Sequence, residues 1–141
     1  MYKKILLPLD LHEESSWKKA LPTAVEMCTA FNAELHVLTV FPDLPVGMYR
    51  LHLPEDTEHQ LAEAAVDGLD TFVAEHISDD IKVFKHVRTG GIYRSILAAA
   101  EEFGVDLIMM ASHRPEMGDY LIGPNAARVV RHSNISVLVV R

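Results

Sequence analysis

Short apolar runs alternate with longer amphipathic stretches from one end of this sequence to the other. Most of the runs are continuously apolar, which is typical of strands buried on both faces of a sheet. The stretches between them carry apolar residues at spacings of three and four, which indicates amphipathic helices. We predict strands over residues 2–9, 34–40, 81–87, 106–111 and 135–140, and helices over 13–31, 55–77, 92–103 and 123–132.

Local signals mark several ends of these predicted elements. Ser15 or Ser16 is a candidate N-cap for the first helix, and Pro22 requires that helix either to kink or to start late. Gly104 stands directly after the third helix, at the usual position of a terminating glycine. The segment from Phe41 to Pro54 contains three prolines and one glycine. It is predicted to be a loop, long enough to act as a lid or a binding loop.

Regular alternation of strand and helix favours right-handed crossovers and a parallel sheet covered by helices on both faces. The predicted fold is therefore a doubly wound, five-stranded parallel α/β sheet. The length of 141 residues fits a single domain spanning residues 1–141. Sheets of this class bind ligands at the carboxyl ends of the strands, where the strand order reverses.

Composition argues against several classes of function. A net charge of −7 disfavours nucleic acid as a partner, because phosphate neutralisation needs a basic surface. No apolar stretch is long enough to span a membrane and the start lacks a signal-peptide pattern, so we expect a cytoplasmic protein. The single Cys28 is predicted to be a buried structural thiol. The eight histidines lack the spacing of a metal site and are predicted to be structural or exposed.

Candidate ligand-binding residues follow the predicted strands. Asp10 stands just past the first strand, where a carboxylate can accept hydrogen bonds from ribose hydroxyls or can simply cap the next helix. Val40 and Phe41 end the second strand and offer an apolar wall to a flat ring, although Phe41 fits the core equally well. These residues alone leave both interpretations open.

The segment after the fourth strand is the most informative. Gly123 and Pro124 open the last helix, whose N-terminus attracts anions, and Arg114 can donate two hydrogen bonds to a phosphate. The same residues also fit an ordinary capped helix with surface arginines. No standard glycine-rich phosphate fingerprint is present.

Three stretches carry a resemblance to the universal stress protein family: KILLPLD at residues 4–10, NAARVVRH at 125–132 and VLVVR at 137–141. The resemblance extends over the whole chain and implies the five-stranded parallel α/β fold. It also implies a homodimer formed by antiparallel pairing of the last strand, from Ile135 to Val140. An apolar edge strand left unpaired would be an aggregation hazard, which agrees with this implication.

The ATP-binding branch of that family carries Gly-x-x-Gly, nine residues, and then Gly-Ser or Gly-Thr. Here Ala111 and Arg114 occupy the first two glycine positions, the gap is one residue shorter, and Pro124 replaces the hydroxyl residue. Proline lacks both the hydroxyl and the N–H, so at least one phosphate contact is lost. The Ser-His-Arg-Pro sequence at 112–115 resembles a sub-branch, some of whose members still bind ATP.

The resemblance implies a site for ATP, with magnesium accompanying it. Around adenosine it places Pro8, Asp10 and Val40. Facing the ribose and phosphates it places Ala111, Ser112, Arg114, Gly123 and Asn125.

The expected function is that of a dimeric stress-response module whose interactions with a regulated protein depend on bound adenine nucleotide. We expect no significant catalysis, because the sequence has no Walker lysine and no evident carboxylate pair for magnesium. One alternative is a nucleotide-free protein-interaction module of the same fold. Another is a nucleotidyl-transfer enzyme, for which only His113 beside Arg114 offers further catalytic chemistry.

Overall fold

The structure, a computed structural model, describes residues 1–41, 56–112 and 122–141. Its strands are β1 (Lys4–Pro8), β2 (Glu34–Phe41), β3 (Val83–Thr89), β4 (Leu107–Ala111) and β5 (Ser136–Val140). Its helices are α1 (Ala20–Phe31), α2 (Thr57–His76), α3 (Ile92–Phe103) and α4 (Pro124–His132), and a short 3-10 turn, Glu14–Ser16, precedes α1. All five predicted strands and all four predicted helices are therefore present, although some of their ends differ.

The strands form one parallel sheet in the order β3-β2-β1-β4-β5. The chain builds outward from β1 to β3, then crosses to the other side of β1 for β4 and β5. Strand order reverses between β1 and β4, where Ile5 is paired with Leu107. The predicted doubly wound fold is confirmed, and its switch point lies at the carboxyl ends of β1 and β4.

Two hydrophobic clusters cover the two faces of the sheet. Helices α1 and α2 pack on one face, with Ile5 and Leu7 of β1 in that cluster. Helices α3 and α4 pack on the opposite face, where Leu6 lies in the second cluster. All three of these side chains are fully buried. Burial on both faces explains why the run in β1 is continuously apolar.

The first helix begins later than predicted, at Ala20 rather than near residue 13. The predicted capping by Ser15 or Ser16 is wrong, since neither serine caps α1. Instead, Ser16 Oγ accepts a hydrogen bond from the Asp10 N–H at 2.9 Å and donates to the Glu13 carbonyl at 2.7 Å. Pro22 is the third residue of α1, where an N–H has no helical partner, so a late start and not a kink accommodates it.

Other boundaries follow local turns. The third strand lies two residues later than predicted, because the Ile81 N–H bonds the Ser78 carbonyl in a turn at 3.2 Å. The third helix matches its predicted bounds, and Gly104 ends it with a φ of 63°, the left-handed conformation that glycine adopts most readily. Of the predicted loop, Phe41 belongs to β2 and residues 42–54 lie outside the described residues.

Cys28 lies on the buried face of α1 with 2 % of its surface exposed. Burial raises the pKa of its thiol to about 11, so the unreactive neutral form predominates at neutral pH. The prediction of a buried structural thiol is confirmed. Within the described residues, no helix combines the length and apolarity that crossing a bilayer requires.

Two histidines meet on the β2–β3 edge of the sheet, although fifty positions separate them in the sequence. The ring nitrogens His36 Nδ1 and His86 Nε2 are 2.9 Å apart, and the rings are stacked with Phe84 and Phe103. Burial lowers the pKa of His86 from 6.5 to about 4 and also lowers the pKa of His36. Both rings are therefore neutral at physiological pH.

We expect this histidine pair to make the fold sensitive to acid. The folded-state pKa of His86 is depressed, so between pH 6.5 and about 4 the unfolded chain binds more protons than the folded chain. Stability is therefore present above this window and is lost as the pH falls through it. The midpoint urea concentration should fall between about pH 7.5 and about pH 5.5, where carboxyl groups are still ionised.

The control for this prediction is the double variant His36→Phe/His86→Phe, which keeps the aromatic stack and removes both titrating groups. It should lose most of the pH dependence in the same window. Equal dependence in the wild type and the double variant would assign the acid sensitivity to other groups. Other charged groups interact with the two rings, and their contribution has to be compared between the wild type and the double variant. These groups are Lys4, Glu34, Lys82, Arg88 and Glu102.

Candidate functional site

A cavity of about 310 Å³ opens at the carboxyl edge of the sheet, at the switch point between β1 and β4. Seven of the eight residues predicted to surround a ligand line it. Arg114, the eighth, lies outside the described residues. The seven are Pro8, Asp10, Val40, Ala111, Ser112, Gly123 and Asn125.

Parallel strand pairing explains why these residues converge. Pro8 is the last residue of β1 and Ala111 is the last residue of β4, and the two strands are neighbours in the sheet. Val40 lies near the end of β2, which pairs with the other side of β1. Gly123 is the N-cap residue of α4. Parallel strands end at the same sheet edge, so residues from four separate segments meet there.

Hydrogen bonds within the loop after β1 hold the Asp10 carboxylate in place. Asp10 Oδ1 accepts a bond from the His12 N–H at 2.9 Å. Ser16 Oγ bonds both the Asp10 N–H, at 2.9 Å, and the Asp10 carbonyl, at 3.0 Å. Within the part of the chain that the structure describes, no group donates a hydrogen bond to the other carboxylate oxygen, Oδ2.

The apolar wall of the cavity is larger than predicted by the sequence analysis, which named only Val40 among its described lining residues. Ile92 and Ile96 of α3 and Met110 of β4 line it together with Leu38 and Val40. Ile92 is 37 % exposed, which makes it one of the few large apolar side chains left open to solvent. The first turn of α3 follows β3 at the same sheet edge. This position after a strand was the one feature of the sequence that could have assigned Ile92 to the cavity.

Another part of the cavity lining is polar, and two of its backbone donors are occupied. The Gly123 N–H donates to the Ser112 carbonyl at 3.2 Å, and the Ser112 N–H donates to the Val140 carbonyl at 2.9 Å. Pro124 has no N–H to offer. Asn125 and Ala126 are in the first turn of α4, where no helix carbonyl can accept their N–H groups. Both residues line the cavity.

Charges of opposite sign meet at this cavity. The N-terminus of α4 contributes positive dipole, whereas Asp10 and Glu13 place carboxylates among the lining residues. Glu13 Oε1 accepts a hydrogen bond from Ser15 Oγ at 2.8 Å, which fixes it beside the cavity. Among the described residues, no group of three or more metal-ligating side chains is arranged to hold a metal ion. The arrangement can hold a ligand with a flat apolar part, hydroxyl groups and a compact anionic group.

The universal stress protein family model matches residues 1–141. Universal stress protein G of Shigella flexneri is 33 % identical over 100 % of both chains. The solved structure of a universal stress protein from Methanocaldococcus jannaschii is 28 % identical, with a TM-score of 0.75 over 99 % of this chain and 96 % of that one.

A third protein, a universal stress protein solved in complex with cAMP, shares the fold at 19 % identity, with a TM-score of 0.68 over 99 % of this chain and 97 % of that one. The match to the family covers every element described above, from β1 to β5. The chain belongs to the universal stress protein family.

Proposed function

We propose that this protein is a dimeric, cytoplasmic stress-response module whose interactions are controlled by a bound adenine nucleotide and which has no significant catalytic activity. The observation that carries the proposal is the cavity at the switch point, whose lining combines apolar and polar residues. A universal stress protein of the same fold has been solved with cAMP, so this fold can accommodate an adenine nucleotide.

The apolar wall suits the adenine ring. Val40, Ile92 and Met110 offer a surface against which a flat ring can pack. Asp10 follows the end of β1 and lines the same cavity, where its carboxylate can accept hydrogen bonds from ribose hydroxyls. Most small-molecule sites combine such apolar walls with a few placed polar groups.

The polar wall suits a phosphate. No carbonyl of the described residues accepts the N–H groups of Asn125 and Ala126, which lie at the start of α4, where the helix dipole favours an anion. ATP is included among the ligands we propose. Magnesium would then come with the nucleotide, held by phosphate oxygens and by the Asp10 or Glu13 carboxylate, since Mg²⁺ is commonly bound through one or two carboxylates and substrate phosphates.

The proposed dimer forms through β5, which pairs only with β4 in the described part of the chain. Its apolar residues Val137 and Val139 are only partly buried. A second copy pairing with the open edge would satisfy the backbone groups and cover these side chains.

The proposed ligand is tested by thermal unfolding of the nucleotide-free protein with and without magnesium-ATP, AMP and cAMP. A ligand at about 100 times its Kd should stabilise the fold by about 2.7 kcal/mol, a shift of several degrees. Asp10→Ala should reduce or abolish the shift, because it removes the carboxylate held at the cavity. Asp80→Ala, in an exposed turn, is the matched control and should leave the shift unchanged.

Absence of a shift with all three nucleotides would overturn the proposed function in favour of a nucleotide-free interaction module. A shift that Asp10→Ala does not reduce would place the ligand elsewhere. Turnover of ATP at about 1 per second or faster would contradict the proposed lack of catalysis.

A further inference from the structure

A half-buried tyrosine on α3 lies close to cationic side chains from α3 and α4. We call this group the α3–α4 patch and define it as Tyr93, Arg94, Arg128 and His132. Arg94 follows Tyr93 in the first turn of α3, whereas Arg128 and His132 lie one turn apart on α4. The patch is formed where these two helices pack against each other.

The tyrosine ring organises the patch. Arg94 Nε donates a hydrogen bond to Tyr93 Oη at 3.2 Å, and the Arg94 guanidinium carbon lies 5.8 Å from the ring centroid. The Arg128 guanidinium carbon lies 5.5 Å from the same centroid. The His132 ring is stacked on Tyr93 with centroids 5.7 Å apart. Two guanidinium groups are therefore held in place by one ring, which reduces the ordering cost of binding a ligand.

The charge of the patch is opposite to that of the chain as a whole, whose net charge is −7. Four other cations among the described residues contact carboxylates: Lys18 contacts Glu14, Lys82 contacts Glu34, Lys85 contacts Asp70, and Arg88 contacts Glu102. By contrast, among residues 1–41, 56–112 and 122–141 no carboxylate forms an ion pair with Arg94 or Arg128. Arg131, also exposed, adds a further cation to α4.

We propose that the α3–α4 patch is a docking surface for a short acidic segment of a partner protein. Guanidinium groups bind carboxylates through paired hydrogen bonds, and Tyr and Arg are enriched at the energetic centres of protein interfaces. The small extent of this cationic patch limits the length of the acidic segment that it can bind. The net charge of −7 disfavours a long polyanion such as RNA, which would extend past the patch, whereas a few carboxylates match the cluster.

The patch adjoins the candidate nucleotide cavity. Ile92 and Ile96 line the cavity, and Tyr93 and Arg94 stand between them in the sequence, in the first turn of the same helix. A ligand that shifts the start of α3 would also shift the two arginines relative to each other. This link to regulation rests on the proposed function, but the docking surface itself does not.

The test uses the full-length, nucleotide-free protein and a fluorescein-labelled hexaglutamate peptide, with fluorescence anisotropy as the readout at low ionic strength. Arg94→Gln/Arg128→Gln should weaken binding by about 10-fold or more, because charged hydrogen bonds contribute about 1.5–3 kcal/mol each. Lys18→Gln/Lys19→Gln removes the same two charges at another exposed site and should change binding less than about 2-fold. Thermal unfolding checks that both double variants remain folded.

Equal weakening by the two double variants would overturn the proposal, since binding would then depend on overall charge alone. Tighter binding of a single-stranded RNA oligonucleotide than of the peptide would also overturn it, in favour of a nucleic-acid partner. These outcomes are separate from the nucleotide test, because the peptide experiment requires no ligand in the cavity. AMP is then added, and the resulting change in peptide affinity measures the coupling between the cavity and the α3–α4 patch.

Discussion

Replacing Ile108 by alanine should lower the free energy of unfolding by about 2–5 kcal/mol. Ile108 is fully buried in β4 and is paired with Leu6 of β1 and with Val137 of β5. It belongs to the cluster under α3 and α4, so its truncation leaves a cavity that helices on a rigid sheet cannot readily fill. Urea unfolding followed by the fluorescence of Trp17, the single tryptophan, measures the change.

Val130→Ala is the matched control, since Val130 is a β-branched residue on α4 that is 46 % exposed. Its effect should stay within about 0.5 kcal/mol. A loss below about 1 kcal/mol for Ile108→Ala would contradict the close packing of α3 and α4 on this face of the sheet.

Pro124→Ser should increase the affinity for ATP by about 10-fold or more and leave the affinity for adenosine unchanged. Serine restores a backbone N–H and adds a hydroxyl at the first position of α4, beside the donors of Asn125 and Ala126. Each new bond to an anionic phosphate is worth about 1.5–3 kcal/mol, and adenosine has no phosphate to accept it. Isothermal titration calorimetry with both ligands separates the two effects.

Pro22→Ser provides the control for this substitution. Pro22 also lies in the first turn of a helix and is exposed, but its neighbours Leu21 and Thr23 do not line the cavity, whereas Gly123 and Asn125 on either side of Pro124 do. It should change neither affinity. An equal gain for ATP and adenosine would show that Pro124 acts through the shape of the cavity, and no gain for ATP would place the phosphates away from the start of α4.

The architecture could be predicted from sequence because the strongest local signals agreed with the tertiary structure. Helix α3 matched its predicted bounds because Gly91 and Gly104 flank a strongly periodic segment. The first helix was predicted too early, because residues 13–19 have helical spacing but Ser16 bonds the Asp10 backbone instead. Spacing and composition do not report such side-chain bonds across a loop.

The site was predicted in part for the same reason. Residues at strand ends, such as Asp10 and Ala111, are brought together by parallel pairing, which the strand–helix alternation already implies. Ile96 could not be assigned to the cavity, because its apolar side chain is equally suited to the core. The contact between His36 and His86 depends on the register of β2 and β3, which no local pattern in the sequence specifies.

The last strand and the cavity share a hydrogen-bonded path, from the Val140 carbonyl to Ser112 and from the Ser112 carbonyl to Gly123. A partner that pairs with β5 and a ligand in the cavity would therefore act on the same short segment of backbone. Thermodynamic linkage is reciprocal, so any increase in nucleotide affinity caused by dimerisation equals the increase in dimer affinity caused by nucleotide. Where dimerisation increases nucleotide affinity, that affinity rises with the concentration of the protein. The abundance of the protein in the cell would then set its response to nucleotide.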